Sequence, residues 1–181
     1  MVKQFIMKHM NLSQGGANLP KFSLWILSLL HGYNHEKYWR RWKKVVDNDS
    51  KTNFIFKLYY FLWLKRVDGK QHCSFGTNLN YGALFSTPPP LLPHGPSGII
   101  IGHDAKIGKD AVIFQQVTIA AGKVSIGDYV TIGAGAKILP HVTIGNHCKI
   151  GANAVVVEDM PDYSTCVLQK PRIILKDDPK G

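Results

Sequence analysis

Residues 101–155 read IGHDAK IGKDAV IFQQVT IAAGKVS IGDYVT IGAGAK ILPHVT IGNHCK IGANAV, nine units that each open on isoleucine. Gly commonly follows the isoleucine, and a small or β-branched residue stands four positions after it. A six-residue period kept in register over this length is the mark of a solenoid. Each hexad supplies one short strand plus a corner, three hexads close a triangular coil, and the aliphatic residue points into the core. The predicted fold is therefore mainly β: a left-handed parallel β-helix. One unit breaks the period, because Ile119 is followed by Ile126, seven positions on. Ala121, Gly122, Lys123 and Val124 are predicted to bulge from the prism there, and an irregularity in a regular solenoid is where a site is expected.

Working outward, Phe75, Gly76 and Leu79, then Tyr81, Gly82 and Phe85, already fit the hexad pattern, so the first coil is predicted to open near residue 75. Ser86–Pro96, STPPPLLPHGP, interrupts it as a rigid extended excursion, since proline cannot donate to a strand ladder. Pro161, Asp162 and Tyr163 end the repeats. Val167–Leu175 reads as a closing strand, and the charged tail after it covers the end of the solenoid. Upstream, residues 1–19 read as a polar arm. Three helices are predicted to form an N-terminal α-helical appendage: Lys21–Leu30, Glu36–Val46, and Phe54–Arg66, the last capped by Thr52 or Asn53 and stopped by Gly69. The third, FIFKLYYFLWLKR, is apolar on nearly every side and must be covered on several faces, by its neighbours or by another subunit. The division is 1–73 for arm and helices, 74–175 for the β-helix and 176–181 for the tail.

The net charge of +10 is carried almost wholly by the appendage. Residues 1–73 hold 13 Lys/Arg against 4 Asp/Glu, whereas residues 74–181 hold 9 against 8. Lys37, Arg40, Arg41, Lys43 and Lys44 fall at helical spacing, with Tyr38, Trp42 and Val45 as the apolar stripe, so they read as a solvated helix face rather than a nucleic-acid surface. A peripheral contact between these basic helices and an anionic membrane is the partner they suit. Cys73, Cys148 and Cys166 form neither a disulfide framework nor a metal-ligand pattern, and the opening residues lack a signal-peptide h-region, which points to a cytoplasmic protein.

His94 is braced by Pro93 and Pro96 where the chain re-enters the prism. An imidazole titrates near neutrality and, fixed on a rigid corner, can take a proton from an alcohol and return it to a leaving thiol. The bulge is expected near the corner opposite it. Cys148 falls at the small position of its hexad and reads as structural. His103, His141 and His147 stand at exposed corners, and His72 precedes the first coil.

The hexads, LPHGPSGIII, the QQVTI of Gln115–Ile119, IGAGAKIL and QKPRII together resemble the hexapeptide-repeat acyltransferases, and within them the serine O-acetyltransferase-like group, which includes enzymes that acetylate polysaccharide hydroxyls. The resemblance spans roughly residues 70–175. It implies that His94 is the general base, matching the histidine of the family's Asp-His-x-x-Gly-Ile-Val motif, although Pro93 stands in place of the aspartate. It also implies acetyl-CoA as co-substrate, with no metal. The pantetheine arm would lie in a groove between adjacent prisms of a homotrimer, against Ala120, Ala121, Ala134 and Ala152, and Lys149, Lys170 and Arg172 would meet the nucleotide end. Gln115 and Gln116 would adjoin the acceptor, the hydroxyl of serine or of a saccharide. The family's long Gly-rich loop with its second histidine and arginine is reduced here to Gly122 and Lys123. The implied mechanism is direct transfer, with backbone N–H groups near the bulge stabilising the oxyanion. Two other classes compete: a non-catalytic trimeric scaffold, and a metal-dependent carbon dioxide hydratase, which needs three converging histidines.

Overall fold

The computed structural model describes residues 33–169. The expectations for the arm, for Lys21–Leu30, for Lys170 and Arg172, and for the tail lie outside them. Helix α1 (His35–Val46) starts at Asn34, whose side chain accepts a hydrogen bond from the Lys37 N–H. Tyr38, Trp42 and Val45 are buried as their spacing predicts, and Trp39 joins them. Helix α2 (Phe54–Gln71) is capped by Asn53, which accepts from the Ile55 N–H. It does not stop at Gly69. A side chain there would meet nothing within 4 Å, so the helix passes through an open position and ends at His72, whose φ of 51° lies in the left-handed region.

Three parallel faces make the prism among the described residues. The first is β1 (Ser74–Phe75), β5 (Ile100–Ile101), β8 (Thr118–Ile119), β11 (Lys137–Ile138) and β14 (Val155–Val156), in that order. The second is β4 (Leu84–Phe85), β6 (Lys106–Ile107), β9 (Ser125–Ile126) and β12 (Thr143–Ile144). The third is β7 (Val112–Ile113), β10 (Thr131–Ile132), β13 (Lys149–Ile150) and β15 (Thr165–Cys166). The arrangement is the predicted left-handed β-helix. Isoleucine pairs with isoleucine from coil to coil, as Ile113, Ile132 and Ile150 do, so one apolar column runs down each inner face. The residue two positions before each isoleucine is also buried: Ala105, Ala111, Val117, Val124 and Val130 are all fully enclosed.

That second inward position corrects the extent of the bulge. Val124 is wholly buried, two residues ahead of Ile126, and only Ala121–Lys123 carry the extra residue outward. The first coil also departs from expectation. Its opening at β1 is as predicted, with Ser74 opposite Ile100. Tyr81 and Gly82, however, form β3, which pairs antiparallel with β2 (Thr77–Asn78), and Tyr81 is exposed instead of filling the core. Val167–Gln169 do not continue β15 as a strand.

The glycines after the isoleucines are explained by the stacking. A Cβ on Gly133 would lie 2.6 Å from the Ala152 nitrogen of the next coil, so no side chain fits where one corner rests on another. Eight corner residues, among them Gln116, Lys123 and Asn153, adopt φ between 52° and 64°, the left-handed conformation that turns the chain from one face to the next.

The helices sit over the first coil. Trp39 packs against Phe75 and Phe85 at ring-centroid distances of 5.1 and 4.8 Å. Tyr38 donates to the Asp68 carboxylate at 2.6 Å, fastening α1 to α2 inside the core. Burial pushes the Asp68 carboxyl above its ordinary range.

Candidate active site

The Pro-rich excursion returns to the prism at Leu91, which bridges to Val112 on the third face. Two hydrogen-bonded turns follow, with the Gly95 N–H donating to the Leu92 carbonyl and the Ile99 N–H to the Pro96 carbonyl, each at 3.0 Å. Pro93 and His94 are the central residues of the first turn. His94 is exposed, and its ring lies 5.7 Å from that of Phe114, one coil on. Pro93 thus fixes the turn where the family motif has aspartate, and an aromatic ring is what the imidazole rests against.

His94 heads a column of corners. Below it come Phe114–Gln116, then Gly133–Gly135, then Gly151–Asn153. They are tied by the Gln116 N–H to the Ser97 carbonyl, the Gly135 N–H to Gln115 and the Asn153 N–H to Ala134, at 2.8–3.0 Å. Gln115 and Gln116 therefore stand on the same column of corners as His94, one coil on. The Gln115 Oε1 atom is buried without a hydrogen-bond partner among the described residues, a state that costs about 1–3 kcal/mol. The Gln116 carbonyl accepts from Lys137 Nζ at 2.9 Å. Ala134 and Ala152 lie farther down the same column, and Lys149, exposed on β13, adjoins it just before Gly151. The column has no side chain larger than alanine at Gly133, Ala134, Gly135, Gly151 and Ala152, which leaves a smooth track for an extended chain.

Ala120 and Ala121 are elsewhere. They belong to the next corner, between β8 and β9, with the bulge, so the predicted cofactor residues divide between two corners of the same prism. A groove of about 570 Å³ opens beside that second corner, lined in part by Tyr81, His103, Asp104, Lys106 and Lys123. The bulge is held from above. The Asp104 carboxylate accepts from the Gly122 N–H at 2.9 and 3.0 Å and from the Lys123 N–H at 2.9 Å. Those two N–H groups are committed to Asp104, so they are not among the free bulge donors that an oxyanion needs. Sequence reasoning passed over Asp104, although it stands 18 residues before Gly122, one coil away.

The backbone bonds from Lys123 and Gly122 hold the Asp104 carboxyl below the usual carboxylate range. A carboxyl depressed in the folded state stabilises it above the unfolded value, and that contribution fades as pH falls through the folded one. Asp104→Ala should therefore be less stable than the parent at neutral pH, with the gap closing below about pH 4. Thermal midpoints across that range check this; a gap independent of pH contradicts the clamp.

Among the described residues, His103, His141 and His147 do not converge on His94. His103 and His141 belong to the bulge corner, and His147 to the third, where its ring stacks between Tyr129 and Tyr163 at 4.8 and 4.9 Å. No cluster of three or more metal-ligating side chains is found among the described residues. Cys148 is fully buried, its sulfur 3.0 Å from the Pro161 carbonyl, a structural setting.

The family model for the bacterial transferase hexapeptide (six repeats) matches residues 123–157. A serine acetyltransferase from Helicobacter pylori is 42% identical over 94 residues, which are 48% of this chain and 54% of that protein. Serine acetyltransferase isoform 3 of Entamoeba histolytica, solved with cysteine, superposes with a TM-score of 0.56 at 28% identity, covering 66% of this chain and 44% of that one. A serine acetyltransferase solved with CoA gives 0.51 at 30% identity, covering 61% and 44%. The β-helix of this chain is similar to that of the serine acetyltransferases. The chain spans about half the length of the curated relatives it matches. The described residues include no helix long and apolar enough to cross a membrane.

Proposed function

We propose that the protein transfers an acetyl group from acetyl-CoA to a hydroxyl, that of serine first, with His94 as general base. One observation carries the reading: a proline-fixed turn sets an exposed imidazole at the head of a corner column that continues as a track of glycine and alanine. The similarity to serine acetyltransferases, one solved with CoA and another with serine, supports the donor and the acceptor class. The pantetheine arm suits the track, because amides in an extended chain need close approach to backbone with no side chains in the way. Lys149 beside it suits a phosphate. Ala120 and Ala121 join this site only from a neighbouring prism, which supports a homotrimer with the groove shared between copies.

In this reading the co-substrate supplies the acyl group as a thioester. His94 removes the proton of the acceptor hydroxyl as its oxygen attacks the carbonyl, and returns that proton to the departing sulfur. Gln116, exposed at the same corner, and Gln115 beside it would adjoin the acceptor. A saccharide hydroxyl is the second acceptor, favoured by the short Ala121–Lys123 bulge and by Pro93, which together lack the groups that grip an amino acid in the family.

Thiol release from acetyl-CoA tests the proposal. The rate should rise on adding L-serine, or on adding an oligosaccharide if the second reading holds. CoA binding by calorimetry without stimulation by either would leave a scaffold, and no binding would remove the donor as well.

A further inference from the structure

The outer face of α2 is unlike the rest of the surface. Phe54, Ile55, Phe56, Leu58, Tyr59 and Leu62 are 38–73% exposed, and they occupy the first half of the helix. The second half of the same outward side carries Lys65, Arg66 and Lys70, all exposed. Between residues 35 and 71 there are ten Lys/Arg against four Asp/Glu, and one of those four, Asp68, is buried against Tyr38. Arg41 of α1 lies over the Trp63 ring at 4.2 Å and over Tyr60 at 5.2 Å, so the flank is cationic and aromatic together.

We propose that this face docks on an anionic lipid bilayer, with Ile55, Phe56, Leu58 and Leu62 entering the headgroup boundary and the flanking lysines and arginines meeting lipid phosphates. An exposed cluster of aliphatic and aromatic side chains bordered by cations combines the two attractions that hold a protein on an anionic interface, burial of apolar area and charge. Each Lys or Arg near a negatively charged surface adds to the attraction, within a Debye length. Charge decides against a second copy as the occupant. Placing this face on itself sets cations against cations in a parallel arrangement, and sets the apolar half against Lys65, Arg66 and Lys70 in an antiparallel one. The proposal is independent of the acetyl-transfer reading.

Co-sedimentation of the full chain with vesicles tests it. With vesicles of equal parts phosphatidylcholine and phosphatidylglycerol the protein should pellet, and with pure phosphatidylcholine it should stay in solution. High salt should weaken the binding by at least about tenfold. The double variant Ile55→Gln/Leu62→Gln, both positions exposed, should weaken it by about tenfold or more while leaving thermal stability and any turnover in vesicle-free solution unchanged. Wild-type protein that ignores the anionic vesicles overturns the proposal. So does a double variant with a lower thermal midpoint, the result expected if the apolar stretch Phe22–Leu30 covers the face, or one with a smaller assembly mass, the result expected if a second copy does.

Discussion

His94→Ala should lower acetyl-CoA-dependent acylation of the acceptor by about 10²–10⁴-fold, the usual worth of a general base. The thermal midpoint should stay where it was. His94 is exposed at the tip of a turn whose hydrogen bond is made by backbone atoms of Leu92 and Gly95, so the imidazole holds little of the fold together. Steady-state rates of thiol release, taken beside a melting curve, separate the two effects. A rate within about twofold of wild type would remove His94 from the chemistry and with it the assignment of the first corner as the site. A large fall in the midpoint would instead show the turn to be a structural strut.

The opposite pattern is expected at Ile132. Its side chain is fully buried, in register with Ile113 on one side and Ile150 on the other, so truncation opens a cavity that two neighbouring coils must share. Ile132→Ala should cost about 2–5 kcal/mol, the range for deleting a large aliphatic side chain from a core. At roughly 2–4 °C per kcal/mol for a chain of this size, the midpoint should fall by about 4–20 °C. Thermal or denaturant unfolding measures it. A shift under about 2 °C would mean that the column relaxes around the gap and that the isoleucines do not form one continuous core.

These two residues show what could be read in advance. Ile132 was legible because a six-residue period has one consistent packing solution, and every isoleucine from Ile101 to Ile150 is buried as the period requires. His94 stood out because two prolines fix the chain on either side of it. What was missed lies where two local rules compete. Val124 looked like part of the bulge when distances were counted from Ile119; counted back from Ile126 it falls two positions ahead, where Val117 and Val130 are also buried. Tyr81 fitted the hexad by spacing, but Asn80, with φ of 58°, reverses the chain between β2 and β3 and makes a hairpin. Gly69 was a plausible helix stop by residue type alone, yet the continuation of α2 is settled by the burial of Val67 and Asp68 against α1 and the first coil, a tertiary effect.

The division of the predicted cofactor residues between two corners could also have been found by counting. Ala120 and Ala121 follow β8, whereas Ala134 and Ala152 follow β10 and β13, so they precede different faces. The same arithmetic connects Asp104 to Gly122 across one coil, and that contact removes two N–H groups from the chemistry.

The most direct test is to incubate the full chain with acetyl-CoA and L-serine and to quantify free thiol and O-acetylated product together. If the protein transfers acetyl with His94 as base, both appear in equal amounts, neither forms without an acceptor hydroxyl, and both are lost in His94→Ala. Thiol released with no acetyl ester on L-serine or on any saccharide offered in its place, or equal product from His94→Ala, would contradict it.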